Sequence, residues 1–412
     1  MRVQGFVKSA SRRRSAGRGA RPDGLAGEAS RSTAGKLMRL VDWSRVVVGG
    51  GLALLLLLVV TGWRSAGVGA GGADAVYGQG GLRSGVSSSG KGCDTVWCRS
   101  SPTSINFGIV ADLDRQSKLA LGEKHAGWRS FFKKARLFKD STSNKWEISW
   151  DADIELQTHL GEDGRGLELS ELVNWQDRLW TFDDRSGVVF ELTEEDSICI
   201  PRYILMEGDG NNAKGQKTEW ATVKDGKLIV GSFGKPYTQN GVITTRNNLW
   251  ISIIHPSGAI EHEDWTVNYE RMQQDTDSVY PGYMVHEAIH FDQLNRLWYV
   301  LPRRVSHDAY DEKRDEVMGS NLMLVYDEHF GKLVKKLSIG SLVPTHGWSS
   351  FKFVPFTNNR VILGLRSMEI EDKDNGDGEQ NTYVTIFDVD GNVFLEEQLI
   401  PGAHKYEGIE FL

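Results

Sequence analysis

The sequence predicts an all-β protein, and within that class a five-bladed β-propeller. From about residue 104 onward, short runs of alternating apolar and polar residues are bounded by Asp, Asn and Gly turns, as at 183–187 and 388–392. Amphipathic stretches with helical spacing are almost absent from this region. A polar turn that leads into a Leu-Trp pair recurs at intervals of about 50 to 70 residues, at Trp180, Trp250 and Trp298. About 300 residues divided into blades of about 60 give five blades.

Each predicted strand is short and follows the period of two that places one face of a strand against a core. The predicted strands include 145–150, 179–182, 188–192, 227–230, 249–254, 297–301, 322–326, 360–365, 383–388 and 393–396. A sandwich or a barrel would also contain many short strands. The recurring Leu-Trp phrases favour the propeller.

The residues before the predicted propeller divide into three segments by composition. Residues 1–45 are basic, residues 46–63 are uncharged and rich in Leu, and residues 64–103 are rich in Gly and Ser. As a helix, the uncharged run would be about 27 Å long, close to the thickness of a hydrocarbon core. Because basic residues favour the cytoplasmic side, we expect a cytoplasmic segment, a type II signal anchor, a flexible stem and a lumenal propeller domain at 104–412. A signal peptide cleaved after residues 65–75 is the alternative, and it also leads to export.

Net charge and cysteine content limit the partners and the metal or redox sites that we expect in this chain. The chain has a net charge of −7 although its first 45 residues are basic, so the remainder is clearly acidic. Binding to nucleic acid rewards an excess of Lys and Arg, and we therefore expect no nucleic-acid partner. Cys93 and Cys98 could pair in an oxidising compartment and leave Cys199 free, but their spacing indicates neither a zinc site nor a redox motif.

Three local motifs resemble known functional motifs, but each resemblance is weak. Asp112 and Asp114 form the Asp-x-Asp triplet of some glycosyltransferases, but those enzymes alternate strands with helices. The acidic stretch 372–379 lacks the Gly and Glu positions of an EF-hand and is predicted to be a solvated loop. The His-Glu-x-x-His run from His286 to His290 follows a Pro-Gly turn, which predicts a strand and not a zinc-binding helix.

Oxygen-bearing side chains recur beside strand signals at the same interval as the blades. They are Ser170, Glu219, Glu287, Ser349 and Glu407. Equivalent positions of successive blades face one channel, so the series could surround a single hard cation. Spacing alone leaves this open, because Ser and Glu are common on surfaces. The segment 405–412 has a strand pattern, and we expect it to close the last blade and place Glu407 in the channel.

The motifs from Ile109 to Leu412 resemble, in their order, the soluble calcium-activated nucleotidase or apyrase family. They are 109–114, 164–170, 183–189, 208–210, 219–220, 263–269, 281–287, 301–304, 344–347, 349–353 and 405–411. The resemblance implies a five-bladed propeller with a central calcium ion. The implied calcium ligands match Ser170, Glu219, Glu287, Ser349 and Glu407. Glu171 stands where the family usually has Asp, and we include it among the expected ligands.

The resemblance also implies calcium-dependent hydrolysis of nucleoside diphosphates, with triphosphates as further candidates, in the lumen of the Golgi or endoplasmic reticulum. We expect Asp114 to orient or deprotonate the attacking water, with Asp112 and Asp184 as supporting carboxylates. The expected cationic contacts to phosphate are Arg303, Arg165, Arg185 and Lys352. A homodimer is a possible assembly.

Two other function classes stay open. One is a catalytically inactive calcium-binding propeller that acts as a partner-binding module, although Asp114 would then have no purpose in the channel. The other is a metal-dependent propeller hydrolase of lactones or organophosphates, which would share the channel cation. Such an enzyme would not need a set of arginines suited to phosphate.

Overall fold

The computed structural model describes residues 104–119, 127–140, 143, 145–193, 198–239, 242–370 and 378–412. The predicted basic segment, membrane anchor and stem, Cys93, Cys98 and most of the acidic stretch 372–379 lie outside these residues. Within the described ranges, no helix has both the length and the apolar character needed to cross a membrane.

The described residues form 22 strands, arranged as five four-stranded antiparallel sheets and one two-stranded hairpin. In chain order they are β1 Ser104–Asp112, β2 Trp128–Lys139, β3 Trp146–Thr158, β4 Leu169–Trp175, β5 Arg178–Asp183, β6 Val188–Leu192, β7 Cys199–Ile204, β8 Trp220–Lys224, β9 Lys227–Gly231, β10 Tyr237–Gln239, β11 Val242–Thr245, β12 Trp250–Ile254, β13 Ile260–Asp264, β14 Tyr283–Asp292, β15 Leu297–Ser306, β16 Leu322–Asp327, β17 Leu333–Ser338, β18 His346–Phe353, β19 Val361–Ile370, β20 Glu379–Asp388, β21 Val393–Leu399 and β22 Lys405–Phe411. Every strand predicted from the sequence coincides with one of these strands.

Helices are few and short in this part of the chain. The α-helices are α1 Thr266–Asp275 and α2 Glu312–Asp315, and Asp114–Ser117 and Asn247–Leu249 form 3-10 turns. The run from His286 to His290 lies within β14, so it does not form the helix that a His-Glu-x-x-His zinc site requires.

The five sheets are the blades of a propeller, which confirms the predicted fold. Blade 1 has the strand order β22-β1-β2-β3, blade 2 β4-β5-β6-β7, blade 3 β8-β9-β12-β13, blade 4 β14-β15-β16-β17 and blade 5 β18-β19-β20-β21. The innermost strands contact one another in the cycle β4, β8, β14, β18, β22 and back to β4. The ring closes where β22 pairs antiparallel with β1, for example Gly408 opposite Val110. The terminal segment therefore closes the same sheet that the first strands begin.

A separate apolar cluster holds each pair of neighbouring blades together. Trp180 of blade 2 packs in a cluster with Leu228 of blade 3, whereas Trp298 of blade 4 packs with Ile251 of blade 3. Analogous clusters lie between blades 4 and 5, 5 and 1, and 1 and 2. Burial of apolar surface between blades thus stabilises the ring and leaves its centre to polar side chains.

Candidate active site and metal centre

A polar cavity of about 410 Å³ lies where side chains from all five blades converge. Its charged lining residues are Asp112, Asp114, Arg165, Asp184, Arg185, Lys217, Glu219, Lys235, Glu287, Arg303, Arg304, Glu312, Asp315, Glu316, Glu369, Lys405 and Glu407. Ten acidic and seven basic side chains face one space. The cavity can therefore hold both a cation and an anionic substrate.

Three of the expected metal ligands meet in this cavity. Carboxylate oxygens of Glu219, Glu287 and Glu407 lie within 4.8 Å of one another, and all three side chains are buried. Burial, together with the neighbouring Glu287 carboxylate, raises the pKa of Glu219 to about 8, although Lys217 opposes this. Burial also raises the pKa of Glu407 well above its usual range. Three buried oxygen donors that repel one another are suited to a hard divalent cation such as Ca²⁺.

Irregular strand pairing accompanies four of the five positions in the predicted series. The register of the innermost strand shifts at Ser170, at Glu287, at Ser349 and at Glu407. Glu219 directly precedes β8. A β-bulge re-aims a side chain and interrupts pairing, and bulges are common next to active sites. The recurrence of a bulge at the same level of successive blades supports a common purpose for these residues.

The two serines of the series differ in their hydrogen bonding. Ser170 Oγ donates to the Thr218 carbonyl over 2.6 Å. Ser349 is fully buried, and its Oγ has no hydrogen-bond partner among the residues that the structure describes. A buried hydroxyl normally has a partner, so Ser349 fits a position beside a bound ion. The donor set of this chain is therefore compatible with calcium.

Glu171 and Lys352 are not where the sequence analysis expected them. Neither residue lines the cavity; they form a buried ion pair, with Lys352 Nζ 3.1 Å from Glu171 Oε1. The same oxygen accepts hydrogen bonds from Ser350 Oγ at 2.8 Å and from the Leu172 N–H at 2.9 Å. The structure therefore corrects both assignments, because the Lys352 ammonium is committed to Glu171 and not to a phosphate. The extra methylene of Glu, compared with Asp, lets this carboxylate reach across to blade 5.

Glu171→Gln is expected to destabilise the protein by about 3 kcal/mol, because it leaves the Lys352 ammonium buried beside a neutral amide. Urea unfolding at pH 8.5 measures this, since burial raises the pKa of Glu171 to about 7 and the carboxylate is ionised at the higher pH. The double variant Glu171→Gln/Lys352→Met removes both charges and is expected to recover most of the loss. A single variant as stable as the wild type would contradict the ion-pair interpretation.

Asp112 is the last residue of β1, Asp114 follows it, and the two residues hold each other in place. Asp114 has a left-handed backbone (φ 46°), and its N–H donates to Asp112 Oδ1 over 2.8 Å. Three side chains contact the Asp114 carboxylate: Arg165 Nη2 at 3.1 Å, Lys405 Nζ at 2.8 Å and Gln380 Nε2 at 2.9 Å. Non-glycine residues keep such a backbone only when their surroundings enforce it, often at functional sites.

Neighbouring charges give these two aspartates different pKa values. Burial would raise the pKa of Asp114, but the charge and hydrogen bond of Lys405, with Arg165, hold it well below its usual range. Burial and then the Asp114 carboxylate raise the pKa of Asp112 to about 7. Asp114 is therefore a fixed negative charge near neutral pH, whereas Asp112 can exchange a proton there.

Arg165 is oriented by a carboxylate that the sequence analysis did not select. Its guanidinium contacts both oxygens of Glu168, with Nε 2.7 Å from Oε1. Glu168 is fully buried, and burial followed by the Asp112 carboxylate raises its pKa to about 9. Oxygens of Glu168, Asp112 and Asp184 lie within 4.8 Å of one another. The bidentate contact fixes the plane of the Arg165 guanidinium in the cavity wall.

The turn after β5 combines a structural residue with two cavity residues. Asp183 accepts hydrogen bonds from the Arg185 N–H at 3.1 Å and from Ser186 Oγ at 2.5 Å, and so shapes the turn. Asp184 lines the cavity and pairs with Lys217. Arg185 also lines the cavity, and its Nε has no hydrogen-bond partner in the described part of the chain. The Arg185 Nε–H can therefore donate a hydrogen bond to an anionic oxygen.

Two adjacent arginines near the end of β15 line the same cavity, but they differ in their ion-pair and hydrogen-bond partners. Arg303 contacts Glu287 and lies 2.8 Å from Glu407 Oε1. Arg304 Nε is 3.6 Å from Asp315 Oδ2, and neither its Nε nor its Nη1 has a hydrogen-bond partner among the described residues. Arg304 is therefore a further candidate for phosphate contact, which the sequence analysis did not select.

Other charged residues near the cavity were also missed, but the sequence contained a signal for them. Glu168, Lys217 and Lys405 each stand two positions before a member of the predicted series, namely Ser170, Glu219 and Glu407. Residues two apart share one face of a strand. Applying that period to each member of the series would have selected all three.

Comparison with known sequences identifies the family. A sequence model of the apyrase family matches residues 113–412. The chain belongs to the apyrase family. The matched part of this apyrase includes Asp114, the three clustered glutamates and all the cavity arginines, and it begins one residue after Asp112.

Three relatives are similar over most of the propeller. Soluble calcium-activated nucleotidase 1 of Rattus norvegicus is 40% identical over 306 residues, which cover 74% of this chain and 73% of the relative. An apyrase of Cimex lectularius is 37% identical over 311 residues, covering 75% and 82%. Apyrase apy-1 of Caenorhabditis elegans is 35% identical over 307 residues, covering 74% and 83%.

Proposed function

We propose that this apyrase hydrolyses the phosphoanhydride bonds of nucleoside diphosphates, and also of triphosphates, in a calcium-dependent reaction. The observation that carries the proposal is the meeting of Glu219, Glu287 and Glu407 in one cavity with several arginines. The names of the relatives support the same activity, since one is a calcium-activated nucleotidase and others are apyrases.

The three glutamates would hold the calcium ion. A bound calcium ion would supply positive charge that offsets the charge of a loose transition state. Among the described residues, Arg185 and Arg304 each have a donor nitrogen without a hydrogen-bond partner, which could donate to a phosphate oxygen. Arg165 presents a guanidinium whose orientation Glu168 fixes. These residues bind and position the anion and require no covalent step.

Asp114 would orient the attacking water, because its carboxylate stays ionised and is held by Arg165 and Lys405. Asp112, with a pKa of about 7, is the better acceptor for the proton of that water. The two aspartates thus divide the orienting and proton-accepting parts that the sequence analysis gave to Asp114 alone. Asp184 supports the site through Lys217.

We propose a cellular location from the composition of the first 103 residues and the chemistry of the product. A type II anchor at 46–63 would place the propeller in the lumen of the secretory pathway. Glycosyl transfer in that compartment leaves nucleoside diphosphates, which this enzyme would then clear.

Phosphate release from UDP, GDP, ADP and ATP tests the proposal, measured with calcium, with magnesium alone and with a chelator. We expect release that depends on calcium and falls at least about 100-fold when calcium is removed. Glu287→Gln is the matched variant, and we expect it to need a higher calcium concentration for half-maximal phosphate release. Absence of calcium-dependent release from every nucleotide would refute the activity and would favour a partner-binding propeller.

A further inference from the structure

Each of the three clustered glutamates is already paired with a cationic side chain that lines the same cavity. Lys217 Nζ lies 2.5 Å from Glu219 Oε1. Arg303 Nη1 contacts Glu287 and lies 2.8 Å from Glu407 Oε1, so one nitrogen bridges two of the three carboxylates. These are the carboxylates that a bound divalent cation would use. The side chains and the ion therefore compete for the same ligands.

Arg303 is the strongest of these competitors. Its side chain is buried, and its other terminal nitrogen, Nη2, is 3.4 Å from another carboxylate oxygen, Glu369 Oε2. Strand β18 approaches its aliphatic stem so closely that a Cβ on Gly347 would lie 2.5 Å from Arg303 Cγ. The stem is thus held by backbone, and only the guanidinium at its end is free to change partners.

We propose that Arg303 couples calcium to nucleotide: a cation bound at Glu219, Glu287 and Glu407 displaces the guanidinium from Glu287 and Glu407, and the displaced guanidinium binds the phosphate. This inference rests on the proposed function. A divalent ion and a guanidinium repel each other when they share two carboxylates. A phosphate between them satisfies both charges, and Arg is suited to bind it with two hydrogen bonds.

Coupling of this kind is reciprocal. If calcium releases Arg303 for phosphate, then bound nucleotide must raise the affinity for calcium by the same factor. Couplings between sites typically correspond to about 5- to 150-fold. The calcium ion would then act as a switch for the substrate site as well as a component of it.

Isothermal titration of the intact protein with calcium tests the coupling without any turnover. Each titration is run with and without a non-hydrolysable α,β-methylene nucleoside diphosphate. In the wild type we expect the analogue to tighten calcium binding at least about 5-fold. In Arg303→Met we expect tighter calcium binding without the analogue, because the competing cation is gone, and a smaller effect of the analogue than in the wild type, because only the direct attraction between phosphate and ion remains.

Arg304→Met is the matched control, because it removes the same charge from the adjacent residue, which pairs with Asp315 and not with the clustered glutamates. We expect it to tighten calcium binding much less than Arg303→Met, since only a longer-range repulsion is lost. Weaker calcium binding by Arg303→Met would overturn the proposal, because it would mean that Arg303 positions the carboxylates. Equal effects of the two variants would also overturn it.

A second measurement keeps the test independent of the stability of Arg303→Met. A crystal structure of the wild type with calcium and the analogue is expected to show the guanidinium on phosphate oxygens and away from Glu287. A guanidinium still on Glu287 and Glu407 would refute the coupling while leaving the proposed activity intact. If the wild type binds no calcium and Glu287→Gln changes nothing, the proposed function itself fails.

Discussion

Removal of residues 406–412 is expected to unfold the protein and to abolish calcium binding and phosphate release together. These residues form most of β22, the innermost strand of blade 1, and they bury Tyr406, Ile409 and Phe411. Each buried apolar side chain contributes about 1.5–3 kcal/mol. Together with the lost pairing to β1, the cost is comparable with the whole stability of a typical domain, about 5–15 kcal/mol.

Circular dichroism during heating, combined with calcium titration, measures this result. Glu407→Gln is the matched variant, because it keeps the strand and removes one carboxylate from the metal centre. We expect it to melt cooperatively like the wild type and to bind calcium at least about 10-fold more weakly. A truncated protein that kept full calcium-dependent activity would show that β22 is dispensable.

Asp114→Asn is expected to lower kcat by about 10²- to 10⁴-fold while leaving the affinity for calcium nearly unchanged. Asn keeps the shape of Asp and tolerates the left-handed backbone at this position (φ 46°). It loses the charge that Arg165 and Lys405 hold in place, and with it the acceptor that would orient the water. Asp114 does not belong to the glutamate cluster, so the metal centre should survive.

Steady-state phosphate release and calcium titration of the same preparation separate the two effects. Asp177→Asn is the control, since Asp177 is an exposed turn residue that also has a left-handed backbone (φ 56°). We expect that variant to match the wild type in both measurements. Unchanged turnover in Asp114→Asn would remove Asp114 from the mechanism.

The fold and much of the site could be predicted because both depend on local periodicity. Alternation within strands identified the blades, and the interval between blades, together with the family resemblance, selected Glu219, Glu287 and Glu407 before any geometry was known. The bulges at Glu287 and Glu407 could not be predicted, because a bulge is a property of two paired strands.

The assignments that were wrong depend on contacts between distant parts of the chain. Glu171 and Lys352 are 181 residues apart, and their ion pair forms only when blades 2 and 5 meet across the channel. Glu171 was included because it stands at a position where the apyrase family usually has Asp. Similarly, Arg304 was not selected because the sequence does not reveal that the end of β15 is buried at the cavity.

The closure of blade 1 by β22 imposes an order on how this protein is made. The inner edge of β1 leaves the ribosome about 300 residues before its partner strand is synthesised, and an unpaired strand edge is prone to associate with other chains. Glu407 arrives on that same late strand, so the first blades must fold without a complete set of carboxylates for calcium. The ion can therefore secure only the finished ring.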